Sequence, residues 1–193
     1  MKNDWAAMLM LLLYEGLNPN AFAENESYLG LACRHVAWGC ISVLLNFGAD
    51  PNVPSLKDGE YPLHAIIASR KAESNTHIIT ELVRCGADIN ARANDGATAF
   101  YNACSKTSHR TDGKRLLGVF REQEADINIA TNEGYTPLML AASSGNEAFV
   151  DLLVRWKVDV SARDENGHTA LWYAERNANK AVAERLRAAG AML

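Results

Sequence analysis

The stretch "TNEGYTPLMLAASSGNEAFVDLLVRWKVDVSAR", residues 131–163, packs two short helical patterns and two turns into 33 residues. In "TPLMLAAS" a hydroxyl stands where it can cap a helix. A proline follows at a first-turn position, where a missing N–H has no intrahelical partner to lose. Large and small apolar residues then recur at helical spacing, and "FVDLLV" carries the same pattern into a second segment. Helices this short are marginal in water, and neither unit face can be covered from within 33 residues. The segment therefore has to stack on others like it.

Others like it are present. "GEYPLHAI" (59–66), "GATAFYNA" (96–103), "GYTPLMLA" (134–141) and "GHTALWYA" (167–174) are versions of one phrase, with "ESYLGLA" (26–32) a weaker fifth. A second phrase follows each: "FGADPN" (47–52), "CGADIN" (85–90), "EADIN" (124–128), "KVDVS" (157–161) and "AGAML" (189–193), with "EGLNPN" (15–20) ahead of them all. Gly96, Gly134 and Gly167 stand where a tight turn takes positive φ, and Gly48 and Gly86 where a helix ends left-handed. Thr98, Thr136 and Thr169 are helix caps, and Pro62 and Pro137 open helices. Leu63, Phe100, Leu138 and Leu171, with Ala103, Ala141 and Ala174, form a stripe of large and small residues that lets neighbouring helices approach closely. Leu82–Val83, Leu116–Leu117 and Leu152–Leu153 fill the space between units.

The pattern resembles the ankyrin repeat over nearly the whole chain: a glycine, T-P-L-H-x-A, a second apolar helix, then G-A-D-x-N. The resemblance implies an all-α repeat solenoid, an ankyrin-repeat stack of helix-turn-helix units joined by β-hairpin-like fingers. It divides a single domain, 1–193, into an N-terminal capping half-repeat (1–20), repeats at 21–53, 54–91, 92–129 and 130–162, and a C-terminal capping repeat (163–193). His64 occupies the T-P-L-H histidine, which in the family braces backbone. Tyr101, Met139 and Trp172 stand at the same place in other units, so aromatic packing is expected to replace most of that bracing.

Spacing locates two irregularities. The first-helix cap falls at 27, 61, 98, 136 and 169, with gaps of 34, 37, 38 and 33. The interval from cap to helix-ending residue is 21 in three units, but 25 from Tyr61 to Gly86 and 26 from Thr98 to Glu124. Insertions between helices are therefore expected in "SRKAESNTH" (69–77) and "SKTSHRTDGKR" (105–115), both in the second and third full repeats. The second carries Lys106, Arg110, Lys114 and Arg115 against Asp112, and the expectation is a basic rim formed by the two turns together.

The totals bound the function. A net charge of −4 argues against a dedicated nucleic-acid binder. Four cysteines in 193 residues make no disulfide scaffold, so Cys33, Cys40, Cys85 and Cys104 are expected to be reduced and buried. The apolar N-terminal run is too short to span a bilayer. Asp4 and "YEGLNPN" argue against reading it as a signal peptide, which gives a cytoplasmic expectation. Instead, Asp4–Tyr14 reads as a lone second helix. Its Trp5, Met8, Met10 and Leu12 cannot all face the stack. A monomer in which Met-rich packing and the chain tip cover them is expected, with a dimer contact as the alternative. The last helix, with Lys180, Glu184, Arg185 and Arg187, suits a solvent-facing cap.

No catalytic constellation holds together. "DGKR" (112–115) lacks the earlier glycine and the Ser/Thr of a phosphate loop. Cys33 with His35, or Cys104 with His109, matches no paired zinc spacing, so neither metal nor cofactor is expected. Asp164 and Glu165 read as solvated turn residues. No enzyme is expected.

The resemblance implies protein binding through the concave face and the fingers. Carried over residue by residue, the finger positions are Lys57, Asp58 and Glu60; Asn94, Asp95 and Ala97; Asn132, Glu133 and Tyr135; Glu165, Asn166 and His168. Arg92 and Arg163 flank them. First-helix ends offer Arg34, His35, Ser69, Ser105, Lys106, Ser143, Ser144, Arg176 and Asn177. Tyr135 is the expected anchor. Trp172 and Tyr173 read as core, and Trp156 as a surface tryptophan or a second contact. With no second domain expected, the stack reads as an inhibitor, a neutraliser such as an immunity-type protein, or a small adaptor for one protein partner. An acidic surface is expected opposite the basic rim. The alternatives are nucleic-acid or acidic-ligand binding at that rim, and an enzyme with a groove site.

Overall fold

The structure is a computed structural model describing residues 4–69, 71–107 and 114–192. Eleven helices are described: α1 (Asp4–Tyr14), α2 (Tyr28–Arg34), α3 (Trp38–Asn46), α4 (Pro62–Ala68), α5 (Thr76–Arg84), α6 (Ala99–Thr107), α7 (Lys114–Glu122), α8 (Pro137–Ser144), α9 (Glu147–Arg155), α10 (Ala170–Arg176) and α11 (Lys180–Ala188). One short antiparallel ladder, β1 (Phe22–Ala23) with β2 (Glu26–Ser27), pairs Phe22 with Ser27. The chain divides into two compact units, residues 1–94 and 95–193.

The expected local chemistry is what starts and stops these helices. Oγ of Ser27 accepts from the N–H of Gly30, and Oγ1 of Thr98, Thr136 and Thr169 accepts from the N–H of Tyr101, Met139 and Trp172, all at 3.1–3.3 Å. Each cap satisfies one first-turn donor. Second helices end in a left-handed residue: Gly48, Gly86 and Gly190, but also Glu124 (φ 58°) and Lys157 (φ 61°). The Asx turn that follows is built by the aspartate of G-A-D-x-N. Asp50, Asp88, Asp126 and Asp159 each accept from the N–H two residues on.

In the first unit α2 packs on α4, with α3 behind α2, α5 behind α4 and α1 outermost on α3. Leu29, Ile41, Leu44, Leu63, Ile66, Ile67, Ile78, Ile79 and Leu82 are among its fully buried residues. In the second unit α6, α8 and α10 lie side by side, backed by α7, α9 and α11. Phe100, Leu116, Phe120, Leu138, Val150, Leu153, Leu171 and Leu186 fill the space between the layers. Phe100 meets Phe120 edge to face at 5.7 Å. Burying each such side chain contributes about 1.5–3 kcal/mol, so the stripes read from sequence are the core.

Both insertions are partly built into structure. In the first, Ser69 is buried, its hydroxyl donating to the Ile66 carbonyl at 2.7 Å, and Arg70 lies outside the described residues. A 3₁₀ turn (Ala72–Asn75) follows with Ala72 buried, and Thr76 and His77 already belong to α5. In the other insertion α6 runs on to Thr107, and Lys114 and Arg115 form the first turn of α7. Both cations are thus helical. His109, Arg110 and Asp112 lie outside the described residues.

α1 has the expected bounds and its outer face is exposed; the chain tip expected to cover it, residues 1–3, lies outside the described residues. Trp5 is 67% exposed, Leu11 66%, Met8 50%, Leu12 48% and Tyr14 74%. Leu13 alone among its large side chains is buried.

Candidate functional site

The finger turns are tied to one another through backbone. In the first unit the N–H of Leu56 donates to the Asn25 carbonyl (2.8 Å) and that of Asn94 to Asp58 (3.0 Å). In the second, Asn132 donates to Asp95 (2.8 Å) and Glu165 to Glu133 (3.1 Å). The tips Asn94, Asp95, Asn132, Glu133 and Glu165 are exposed. Asp95 also accepts from the Ala97 N–H at 2.9 Å, and Ala97, read as a finger position, is buried beneath the turn.

Behind the last finger of the second unit lies a cluster that the sequence reading assigned partly to the core. The His168 ring stacks on Trp172, centroids 3.6 Å apart and 18° between planes. The Arg176 guanidinium carbon lies 4.9 Å from the Trp172 ring centre. Tyr173 meets Trp172 and Tyr135 edge-on, each at 4.9 Å. Trp172 and Tyr173 are half-buried, which corrects their assignment to the core: α10 is turned so that Leu171 and Ala174 face inward and these two lie along the surface. Tyr135 is also half-buried, its hydroxyl 3.4 Å from the Met139 carbonyl oxygen, to which it donates. Trp156 is half-buried too, 6.4 Å from Phe100, so it is no lone surface tryptophan.

Asp164 anchors this cluster and corrects another expectation, since it is buried and not solvated. Its carboxylate accepts from the N–H of Asn166 (2.9 Å) and His168 (2.8 Å) and from the Tyr173 hydroxyl (2.5 Å). His168 Nδ1 lies 3.5 Å from Oδ2. Burial alone would raise its pKa. The Tyr173 hydrogen bond, the two backbone donors and the His168 ring outweigh that and hold the carboxyl below its ordinary range.

Ser144 and Asn177 are engaged in hydrogen bonds within the stack. Ser144 donates to the Ala141 carbonyl at 3.1 Å, and Asn177 donates to the Ser143 carbonyl and hydroxyl oxygens at 3.0 and 2.9 Å. Lys106 is exposed in the last turn of α6, and Lys114 and Arg115 are exposed at the start of α7. In the first unit Arg34 is not an open concave-face cation. Its guanidinium donates to both Glu26 oxygens at 2.8–3.1 Å and to Glu60 at 3.2 Å. This network borders a cleft of about 330 Å³ lined also by Asn25, Lys57 and Asp58.

Among the described residues, no group of three or more His, Cys, Asp or Glu side chains is placed to hold a metal ion. Cys33 and Cys104 are buried, and burial pushes both thiols up, away from the reactive thiolate; at Cys33 the Glu26 charge adds to this. Cys40 and Cys85 are half-buried and free.

A family model described as "Ankyrin repeats (3 copies)" matches residues 65–164 and 110–192. The chain belongs to the ankyrin-repeat family. It is 30% identical over 169 residues to ankyrin repeat and SOCS box protein 16 of Homo sapiens, covering 83% of this chain and 36% of that protein. It is 31% identical over 172 residues to neurogenic locus notch homolog protein 2 of Homo sapiens (89% and 6%). An ankyrin repeat protein of fowlpox virus (strain NVSL) is 30% identical over 160 residues (79% and 45%). The chain thus spans less than half the length of each of these relatives. Its fold is the all-α ankyrin solenoid, and ankyrin repeats are generally protein–protein interaction modules, which points to a protein partner. No described helix is long and apolar enough to cross a membrane.

The family's bracing histidine is explained by this frame. Nδ1 of buried His64 accepts from the Tyr61 N–H at 3.3 Å. In the 130–162 repeat the Met139 sulfur takes that place, 3.4 Å from the Thr136 nitrogen. A weak sulfur acceptor, and not aromatic packing, substitutes there.

Proposed function

We propose that this ankyrin stack is a non-catalytic module that acts by occupying one protein partner, as an inhibitor, a neutraliser of the immunity type, or a small adaptor. The partner site is the second unit's finger row (Asp95, Asn132, Glu133, Tyr135, Glu165, His168) with Ser144 and Arg176 behind it; Asn94 adds to the fingers of the first unit. One observation carries this reading: Trp172, Tyr173, His168 and Arg176 form a partly exposed aromatic and cationic surface, in which buried Asp164 accepts from the Tyr173 hydroxyl and the His168 N–H. Trp, Tyr and Arg are the residue types that dominate binding energy at interfaces. A pre-ordered patch also loses little side-chain entropy on association. The exposed cations Lys106, Lys114 and Arg115, with Arg110 between them in sequence, supply a basic edge for an acidic partner patch.

The test is capture from the native host followed by titration of the captured protein. Trp172→Ala with Arg176→Ala should lower affinity at least tenfold while leaving the helical circular dichroism intact. Unchanged affinity moves the site elsewhere, and a toxin-like captured protein supports neutralisation over adaptor function.

A further inference from the structure

We infer that the partner segment seated on the second unit's finger row is extended and basic, its arginine side chains lying against Tyr101, Tyr135 and Tyr173 with their charges among Asp95, Glu133 and Glu165. This rests on the partner site proposed above and gives that site its chemistry. The inference begins from the rings. Tyr135 and Tyr173 meet at 4.9 Å with 81° between planes. Tyr101 on α6 is near enough to Tyr135 for a charge on one phenol to be felt by the other. All three are half-buried, so each keeps part of its surface in water. A tyrosine face attracts a cation, and a planar guanidinium stacks on it. The unit already holds one such pairing of its own, with the Arg176 guanidinium carbon 4.9 Å from the Trp172 ring centre.

Charge selects a basic occupant. Asp95, Glu133 and Glu165 stand exposed on three successive finger turns, joined by the backbone bonds from Asn132 to Asp95 and from Glu165 to Glu133. Among the described residues, Glu133 and Glu165 make no side-chain hydrogen bond or ion pair. In the backing layer, by contrast, Arg185 pairs both Glu147 and Asp151, which leaves those carboxylates little to offer a partner. Burial raises the Tyr101 phenol first, and Tyr135, Cys104, Asp95 and Glu133 add to it, pushing it up to about 12. The two carboxylates thus set a negative field at the ring, which favours a cation there. Of the flanking cations, Arg163 is held on the Gly167 carbonyl at 2.6 Å and Arg176 over Trp172. The N-termini of α6, α8 and α10 have the opposite sign, about half a charge each. Each is outweighed by a full carboxylate on the finger that leads into it.

Spacing sets the form of the segment. Helices α6, α8 and α10 lie side by side, and packed helices stand about 8–10 Å apart. One finger leads into each helix, so the fingers repeat at the same interval. An extended chain rises about 3.3 Å per residue. A cation at every third residue therefore meets one finger after another.

The probe is a glycine nonapeptide with arginine at its second, fifth and eighth positions. It is titrated into the full chain and followed by the NMR signals of the Tyr135 ring and the Trp172 indole. It should bind about threefold tighter than a nonapeptide with its three arginines consecutive, the worth of one or two exposed pairs. Glutamate in place of arginine should abolish binding. Glu133→Gln with Glu165→Gln should weaken it about fivefold. Tyr135→Ala should weaken it about threefold, and Tyr135→Phe, which keeps the ring face, should leave it unchanged. Equal binding of the two arginine peptides overturns the proposal. So do an indifferent Glu133→Gln, Glu165→Gln variant and signal changes confined to the first unit. The partner site is judged separately, by Trp172→Ala with Arg176→Ala against the captured protein. If that variant loses the captured protein while Glu133→Gln with Glu165→Gln keeps it at full affinity, the site stands and its basic occupant falls. A captured protein indifferent to both variants overturns both.

Discussion

The Tyr173 hydroxyl donates to Oδ2 of Asp164 at 2.5 Å, joining the first helix of the last repeat to the finger that precedes it. Asp164 is buried, so the bond is made by a charge with little access to water. Tyr173→Phe leaves that charge with its two backbone donors and should cost about 1–2 kcal/mol in urea unfolding. The pH dependence has two edges. The Asp164 carboxyl is held below the unfolded value of about 3.9, so its contribution is complete above that pH and fades as pH falls below it. The Tyr173 hydroxyl is pushed up, by burial first and by Asp164 second, so its contribution fades only as pH rises beyond about 10. The wild-type advantage over Tyr173→Phe should therefore be full at pH 7 and smaller at pH 3. An equal difference at both would show that the bond is not made to a carboxylate.

The left-handed helix ends give a prediction of opposite sign at two kinds of position. Glu124 and Lys157 hold φ of 58° and 61° with exposed side chains, where other repeats use glycine. Glu124→Gly and Lys157→Gly each relieve that strain at no packing cost and should stabilise by about 0.5–1 kcal/mol. Gly134 is the contrary case. At φ 78° a Cβ would lie 2.8 Å from Cα of Asp164, within the next finger's backbone. Gly134→Ala should cost about 2 kcal/mol or more, read as a lower thermal midpoint. A neutral Gly134→Ala would mean that the finger turns are not packed as described.

The repeat was legible because its signals are local. A threonine cap, a first-turn proline and a left-handed residue at fixed intervals act within one turn of chain, and the structure places Thr98, Pro137 and Gly86 in those roles. What was not legible depends on helix rotation and on partners far along the chain. Trp172 and Leu171 are adjacent apolar residues in sequence. Which one faces inward is set by how α10 seats on α8, and it is Leu171. The Asp164–Tyr173 pair spans nine residues across a turn, a spacing no helix or strand period brings together, so Asp164 read as solvated. Arg34 looked like an open concave cation because Glu26 and Glu60 belong to two successive fingers.

That three-residue network makes its own prediction. The Arg34 side chain keeps 34% of its surface in water, so solvent screens much of the attraction. Arg34→Met should cost no more than about 1 kcal/mol at low salt, and the loss should shrink in about 1 M salt. In a double-mutant cycle, coupling to Glu26, which is contacted through two guanidinium nitrogens, should exceed coupling to Glu60, contacted through one. Equal couplings would show that the charge, and not the paired geometry, holds Arg34.

The basic stretch yields the last prediction. Lys114 and Arg115 occupy the first turn of α7, where the helix dipole disfavours cations, and no acidic residue shares that turn. Lys114→Glu with Arg115→Glu should therefore raise stability by about 0.3–1 kcal/mol per position, seen as a higher urea midpoint. Two cations kept where they lower stability are what a binding role would leave behind. If they meet an acidic patch, the same stabilised variant should bind the partner more weakly and with a flatter salt dependence. Higher stability with affinity and salt dependence unchanged would confine these cations to the surface of the insertion and take the basic edge out of the partner site.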